Sequence, residues 1–242
     1  GGWLAVRGFS DFAGSTLVHA CGGAAALAGV IVLGSRAGRF SAKGEKKSMV
    51  PFAASSIPLV TLGTFLLWFG WFGFNGFSQL AMGTFNDVNA ITKIAVNTHI
   101  AGAAGTVTGA AITRLLGGKT DIIMMLNGAL AGLVAITAEP LTPSPLLAIF
   151  IGAAGALIMY FGTKFLENQK LDDVVGAIPV HMFAGIFGTL VVPISNPNTN
   201  FGTQLLGVIS VCLFSFVFSF IAFKTLKQTI GLRISKKAEK LG

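Results

Sequence analysis

The sequence predicts an all-α integral membrane protein with seven transmembrane helices. Of the 242 residues, 53% are hydrophobic and only 11% are charged. The chain repeatedly runs through stretches of about 20 apolar residues, roughly the thickness of a bilayer core, and a soluble domain could not hide that much apolar surface. The net charge of +8 does not indicate nucleic-acid binding, because the basic residues lie in short segments between apolar runs.

Polar interruptions divide the chain into seven predicted spans, and glycine and proline mark the boundaries. Gly34 ends the first span, Pro51 opens the second, and Gly117 ends the third. Pro140 separates the fourth span from the fifth, and Pro193 separates the sixth from the seventh. The predicted spans are residues 12–33, 52–80, 90–116, 122–138, 145–165, 174–193 and 203–224.

Small residues are dense inside the spans, as in residues 101–105 (AGAAG) and 152–155 (GAAG). Such residues let helix backbones approach closely where lipid supplies no hydrophobic drive between helices. We therefore predict that these glycines mark helix-packing positions.

Lysine and arginine predict the orientation, because short cytoplasmic loops retain positive charge during insertion. If seven spans alternate across the membrane, all of the 17 basic residues except Arg7 and Lys93 fall on one side. We therefore expect a multi-pass protein of the inner or plasma membrane with the amino terminus of the chain outside. Residues 1–224 are predicted to form the transmembrane domain, and residues 225–242 a short basic cytoplasmic tail.

Acidic residues are missing from the middle of every predicted span. All nine lie in loops or at span ends: Asp11, Glu45, Asp87, Asp121, Glu139, Glu167, Asp172, Asp173 and Glu239. Pumps and ion-coupled carriers usually keep a carboxylate at the midplane, since a charge there is costly and is retained only for use. Imidazole is therefore the ionisable group left within the spans.

Two of the three histidines have matching positions relative to an aspartate. His19 follows Asp11 by eight residues and His181 follows Asp173 by eight, so each ring lies about 12 Å along its helix from a carboxylate. The two helices run in opposite directions, and both rings are predicted to meet near the bilayer centre, as in inverted-topology repeats. This pattern favours a pore function over simple interhelical hydrogen bonding. His99 has no such partner, and we expect a structural role for it.

Residues 68–78, at the outer end of the second span, are rich in aromatic side chains. One interpretation is an aromatic belt at the membrane interface. The other is an outer vestibule in which the rings and one hydroxyl attract a small cation. The composition alone leaves both open.

Four segments resemble the ammonium transporters of the Amt/Mep/Rh superfamily, and are closest to its bacterial Amt branch. The segments are residues 11–19 (DFAGSTLVH), 70–75 (GWFGFN), 127–134 (NGALAGLV) and 172–181 (DDVVGAIPVH). The resemblance implies an eleven-span inverted-repeat fold that assembles as a homotrimer with one pore per subunit. This chain would supply spans five to eleven, so we expect it to be part of a longer protein.

The resemblance also implies roles for individual residues. His19 and His181 look like the twin pore histidines, and Phe74 is similar to one of two stacked phenylalanines that close the outer end of the pore. Ser78 is similar to the serine of the outer ammonium recruitment site. Residues that look structural or electrostatic near the site are Asp11, Asn75 and Asp173.

The implied activity is transport rather than catalysis, with ammonium recruited outside, deprotonated and conducted as ammonia. An apolar lumen would reject K⁺ and Na⁺ by desolvation. Expected ligands are ammonium, ammonia and methylammonium, in a lipid bilayer and without a cofactor, a metal or nucleic acid. A PII-type regulator is less expected, because the family tail is usually acidic whereas residues 235–240 read SKKAEK.

The alternative function within this fold is an ammonium sensor that signals through its tail or a fused domain. A seven-helix photoreceptor is a further alternative by span count. It would need a lysine in the last span to hold retinal, and residues 203–223 contain none. The sequence therefore favours transport.

Overall fold

The computed structural model describes residues 2–40 and 52–241, and all regular structure within them is helical. Among these residues, six helical stretches are long and apolar enough to cross a membrane, and a seventh apolar helix, Ile122–Ile136, is shorter. The predicted fold class, an all-α integral membrane protein, is therefore confirmed. Pro51 and the loop residues 41–50, including the predicted loop residue Glu45, lie outside the described residues.

The helices follow one another in an antiparallel bundle, and two of the long ones begin as π-helix. In chain order they are α1 Trp3–Val6, π1 Ser15–Ala20, α2 Cys21–Leu33, α3 Ile57–Phe77, α4 Phe85–Gly117, α5 Ile122–Ile136, α6 Pro145–Asn168, π2 Ile178–Phe183, α7 Ala184–Leu190, α8 Val192–Ser195, α9 Phe201–Thr229 and α10 Lys236–Leu241. The apolar stretches π1–α2 and π2–α8 each have the length of one membrane span.

Side-chain caps set helix starts that differ from the predicted span starts. Helix α4 begins at Phe85, five residues before the predicted position, because Thr84 and Asp87 form a capping box. Helix α3 begins at Ile57 rather than 52, after Ser56, whose hydroxyl accepts a hydrogen bond from the Leu59 amide. Helix α9 continues to Thr229, five residues past the predicted end of its span.

Helices α4, α5 and α6 pack with their backbones in contact. A Cβ atom on Gly105 would lie 2.2 Å from the carbonyl oxygen of Gly128, and one on Gly152 would lie 2.2 Å from that of Ala101. Only glycine fits at these crossings, because any side chain would overlap the neighbouring backbone. This close three-helix contact forms the rigid wall against which the two histidine-bearing segments lie.

At one end of the bundle, ion pairs join the segment after α2 to the end of α6 and to the loop between α6 and π2. The Arg36 guanidinium donates to both carboxylate oxygens of Asp172 at 2.8 Å, and Arg39 pairs with Glu167 at 3.2 Å. The hydrogen bonds from Arg36 hold the pKa of Asp172 below its usual value. These pairs fix the two loops that precede and follow the histidine-bearing helices.

Candidate functional site

His19 and His181 are in direct contact. Their Nδ1 atoms lie 3.2 Å apart, and the two half-buried rings are nearly parallel, with centroids separated by 5.2 Å. A neutral imidazole has one N–H and one lone pair, so this contact requires one ring to donate and the other to accept. The pair then presents an accepting Nε2 at one end and a donating Nε2–H at the other.

The same local sequence builds both halves of this pair. Each histidine is the last residue of the pattern Asp-x-x-Gly-x-x-x-Val-His, at residues 11–19 and 173–181. The glycine of each copy, Gly14 (φ 112°) and Gly176 (φ 78°), is in the positive-φ region that other residues rarely adopt. The chain can therefore reverse sharply at each glycine and enter the helix that carries the histidine.

The two aspartates act as helix caps. In the first copy, Asp11 Oδ2 accepts from the amides of Thr16 and Leu17 at 2.9 and 2.8 Å. In the second, Asp173 accepts from the amides of residues 176, 177 and 178 at 2.7–3.1 Å. These bonds satisfy amides that have no partner within the helix, so the carboxylates hold the start of each π-helix.

Both histidines lie within π-helical turns, and the helices cross just after them. Gly23 and Gly185 each follow their histidine by four residues. A Cβ on Gly23 would lie 2.5 Å from the Met182 amide nitrogen, and one on Gly185 would lie 2.4 Å from the Ser15 carbonyl. The wider π-turn and the close crossing together bring the rings into register, in a geometry often associated with functional sites.

Aromatic rings of α3 cover His19. Trp71 stacks on it with centroids 4.9 Å apart and an interplanar angle of 14°, and Phe74 lies 5.6 Å away in a tilted arrangement. The Trp71 indole N–H donates to the Thr137 hydroxyl at 2.8 Å, which fixes the ring. His19 Nε2 is buried and has no hydrogen-bond partner among the described residues, so it is free to bind a small ligand.

Two further predicted site residues, Asn75 and Ser78, lie within α3 and directly after it. Ser78 follows the last residue of α3, one turn beyond Phe74, and its hydroxyl donates to the Phe74 carbonyl at 2.8 Å. Asn75 is fully buried and donates to the Thr98 hydroxyl of α4 at 2.9 Å. The structure thus brings Phe74 to the histidine pair and places Ser78 at the end of the same helix.

A cavity of about 320 Å³ opens beside His181. Its wall includes Thr64, Leu67, Asn127 and Val180, and no Asp, Glu, Lys or Arg is among the described residues that line it. A fixed charge would hold an ion here, so the uncharged wall suits a neutral molecule. Within residues 2–40 and 52–241 there is also no cluster of three or more His, Cys, Asp or Glu that could bind a metal.

Sequence reasoning missed two residues that position the pair. Trp71 was part of the aromatic segment, and its three-residue spacing from Phe74 was the available sign that both rings share a helix face. Gln204 is fully buried and donates to the carbonyls of Ser10 and Thr189 at 2.6 and 3.0 Å. Its amide oxygen accepts from the Ser10 amide at 2.9 Å, so α9 holds the loop that carries Asp11.

His99 lies away from the pair. Its exposed ring packs against Trp68 and Phe72 with centroids 5.5 and 6.1 Å away. The structure gives it no contact with the other two histidines within the described residues.

Known proteins resemble the chain over its whole length. A model of the Ammonium Transporter Family matches residues 1–242. Ammonium transporter Amt2 of Archaeoglobus fulgidus is 39% identical, with 100% of this chain and 57% of that protein covered. A putative ammonium transporter of Synechocystis is 40% identical, with 100% of this chain and 55% of that protein covered.

Solved structures of Amt and Mep2 proteins are also similar to this chain. A structure described as a sensor Amt protein superposes with a TM-score of 0.92 at 36% identity, over 100% of this chain and 60% of that one. Mep2 of Candida albicans gives a TM-score of 0.84 at 26% identity, over 98% of this chain and 55% of that one. The chain thus spans little more than half the length of the proteins it matches. It belongs to the Ammonium Transporter Family and is a multi-pass membrane protein.

Proposed function

We propose that the protein containing this chain conducts ammonium across a membrane, and that His19 and His181 line its passage. The observation that carries the proposal is the contact of the two imidazoles at 3.2 Å beside a cavity whose described lining residues include no Asp, Glu, Lys or Arg. Ammonia can both donate and accept hydrogen bonds, and therefore matches a histidine pair that offers one donor and one acceptor.

The proposed route begins at the outer face near Ser78 and Phe74, where ammonium is recruited and gives up its proton. Moving an ion into an apolar passage is costly unless fixed groups replace its water, and the described wall offers no carboxylate to do so. The neutral molecule then passes His19 and His181. Because K⁺ and Na⁺ would lose their water without replacement, such a passage admits ammonia and rejects these ions.

We further propose a homotrimer in the inner or plasma membrane, with the amino terminus of the chain outside and the basic tail in the cytoplasm. Lysine and arginine after α2, α4, α6 and α9 support this orientation, since positive loops remain cytoplasmic. The sensor function has less support, because the curated relatives are named ammonium transporters.

The full-length gene product that contains this chain is expected to restore uptake of labelled methylammonium to cells that lack their own ammonium transporters. Unlabelled ammonium should compete with the label, whereas an equal concentration of K⁺ should not, because K⁺ would have to shed its water. Saturable uptake that K⁺ inhibits as strongly as ammonium would contradict the proposed passage of a neutral molecule.

Asp11 offers a test of how the outer end of the site is held. Asp11→Ala leaves the Thr16 and Leu17 amides without their acceptor, at a cost of about 1 to 2 kcal/mol, and should reduce uptake by about tenfold. Asp11→Asn keeps one oxygen that can accept both bonds, so uptake should stay within about twofold of the parent. The measurement is methylammonium uptake per amount of protein in the membrane.

If Asp11→Asn were as impaired as Asp11→Ala, the capping role would be insufficient and the negative charge itself would be required. Equal uptake by all three proteins would remove Asp11 from the site altogether.

A further inference from the structure

One helix, α5, lies beside both of the Asp-x-x-Gly turns that precede the histidines. Directly after α5, the Ala138 carbonyl accepts a hydrogen bond from the Phe12 amide of the first turn at 2.8 Å. In the first half of α5, the Asn127 side chain donates to the Val175 carbonyl of the second turn at 3.0 Å. The same short helix is therefore bonded to one turn at its end and to the other turn near its start.

The second turn depends on a single side chain for this bond. Within the part of the chain that the structure describes, Asn127 is the one hydrogen-bonding partner of residues 174–177 from outside residues 173–183. The first turn has a second backbone bond, from the Ala13 amide to the Thr137 carbonyl at 3.1 Å. Removal of the Asn127 amide would therefore release the second turn, whereas no single side chain holds the first turn to α5.

Asn127 also packs against the glycine at which the second turn reverses. A Cβ on Gly176 would lie 2.8 Å from the Asn127 amide nitrogen, so the amide occupies the space beside this glycine. The Gly176 carbonyl accepts from the Val180 amide at 3.2 Å, and Val180 directly precedes His181. Asn127 therefore touches the point from which the helix that carries His181 begins.

Helix α5 cannot move to follow a displaced turn. A Cβ on Gly132 would lie 2.4 Å from the Ala101 carbonyl oxygen, and one on Gly128 would lie 2.5 Å from the Gly105 carbonyl oxygen. These crossings leave no room between α4 and α5, and close-packed interiors deform little. Helix α5 is thus a rigid reference for the positions of both turns.

We propose that Asn127 is a positioning residue that holds His181 against His19. Its amide fixes the Val175 carbonyl and Gly176, and through the helix start it fixes the ring whose Nδ1 lies 3.2 Å from that of His19. A further separation of roughly 0.5 Å would take the two nitrogens beyond hydrogen-bonding distance. The inference rests on the proposed function, because it concerns the histidine contact that is proposed to serve conduction.

The test is ¹⁵N nuclear magnetic resonance of the full-length gene product in lipid bilayers, with its histidines labelled. The signal of the bridging Nδ1–H···Nδ1 bond is assigned by its loss in His19→Leu and in His181→Leu. Asn127→Leu and Asn127→Ala cannot donate to Val175, and both should abolish this signal. Asn168→Leu, the same change at an exposed asparagine at the end of α6, should leave the signal in place.

Methylammonium uptake per amount of protein in the membrane is the second measurement. Both Asn127 variants should take up methylammonium about fivefold more slowly than the parent, as expected for the net loss of one hydrogen bond. Asn168→Leu should match the parent. Loss of the bridging signal with full uptake would count against the proposed function alone, since the positioning role would still hold.

Three results would overturn the positioning role. An unchanged bridging signal in both Asn127 variants would show that the turn keeps its place without the amide. Failure of both variants to elute with the parent in size-exclusion chromatography would assign Asn127 to folding of the bundle instead. A parent without the bridging signal would remove the histidine contact itself.

Discussion

Replacing His19 and His181 together with leucine is expected to reduce methylammonium uptake by the full-length gene product at least tenfold. Leucine is apolar, and the two substitutions remove both hydrogen-bonding rings of the pair. Ammonia would then cross without a partner, and an unmade hydrogen bond in an apolar setting costs about 1 to 3 kcal/mol. One such loss is enough for a roughly tenfold effect, since about 1.4 kcal/mol corresponds to a factor of ten.

The matched control for this experiment is His99→Leu. His99 also lies within a long apolar helix, but its exposed ring packs against Trp68 and Phe72, and among the described residues it has no ring contact with His19 or His181. Uptake by this variant should remain close to that of the parent. If the double variant transported methylammonium as fast as the parent, or if His99→Leu were equally impaired, the histidine pair would have no special role.

Gly105→Leu is expected to prevent the chain from folding in the membrane. A Cβ at this position would lie 2.2 Å from the Gly128 carbonyl oxygen, and the contact is with backbone, which cannot rotate away. Helices α4 and α5 would have to separate and lose the packing that forms the wall behind the site. We expect little or no protein at the size of the parent assembly in fluorescence-detected size-exclusion chromatography.

Gly117→Leu provides the control for this substitution on the same helix. Gly117 is the last residue of α4, and among the described residues no atom outside the adjacent helix backbone and chain neighbours lies within 4 Å of a Cβ built there. This variant should elute with the parent and at a similar yield. A normal elution profile for Gly105→Leu would mean that α4 and α5 do not pack as closely as described.

The fold class and the histidine contact could be predicted because each depends on a pattern that is visible within single segments of the sequence. Apolar runs of span length indicate membrane helices regardless of tertiary context. The equal eight-residue offsets from Asp11 to His19 and from Asp173 to His181 predicted that the two rings meet, and their Nδ1 atoms lie 3.2 Å apart. Packing of the glycines at 105 and 152 likewise followed from the density of small residues.

Helix boundaries and supporting residues were harder to predict, for different reasons. The early start of α4 depends on a capping box between Thr84 and Asp87, a local signal that apolar run length does not contain. The π-helical turns depend on how the helices cross, which no single segment encodes. Gln204 is a single amide side chain near the start of an apolar span. Its role could not be predicted, because it depends on a hydrogen bond to Ser10, which is 194 residues away in the sequence.

A structure of the full-length gene product in methylammonium would show whether the substrate passes the two touching imidazoles. We expect ligand density within about 3.5 Å of His19 Nε2, the buried ring nitrogen without a partner among the described residues. We also expect the two rings to remain in contact and to line the same passage. Density that follows another route through the protein, with both histidines sealed off from it, would rule out a role for the pair in conduction.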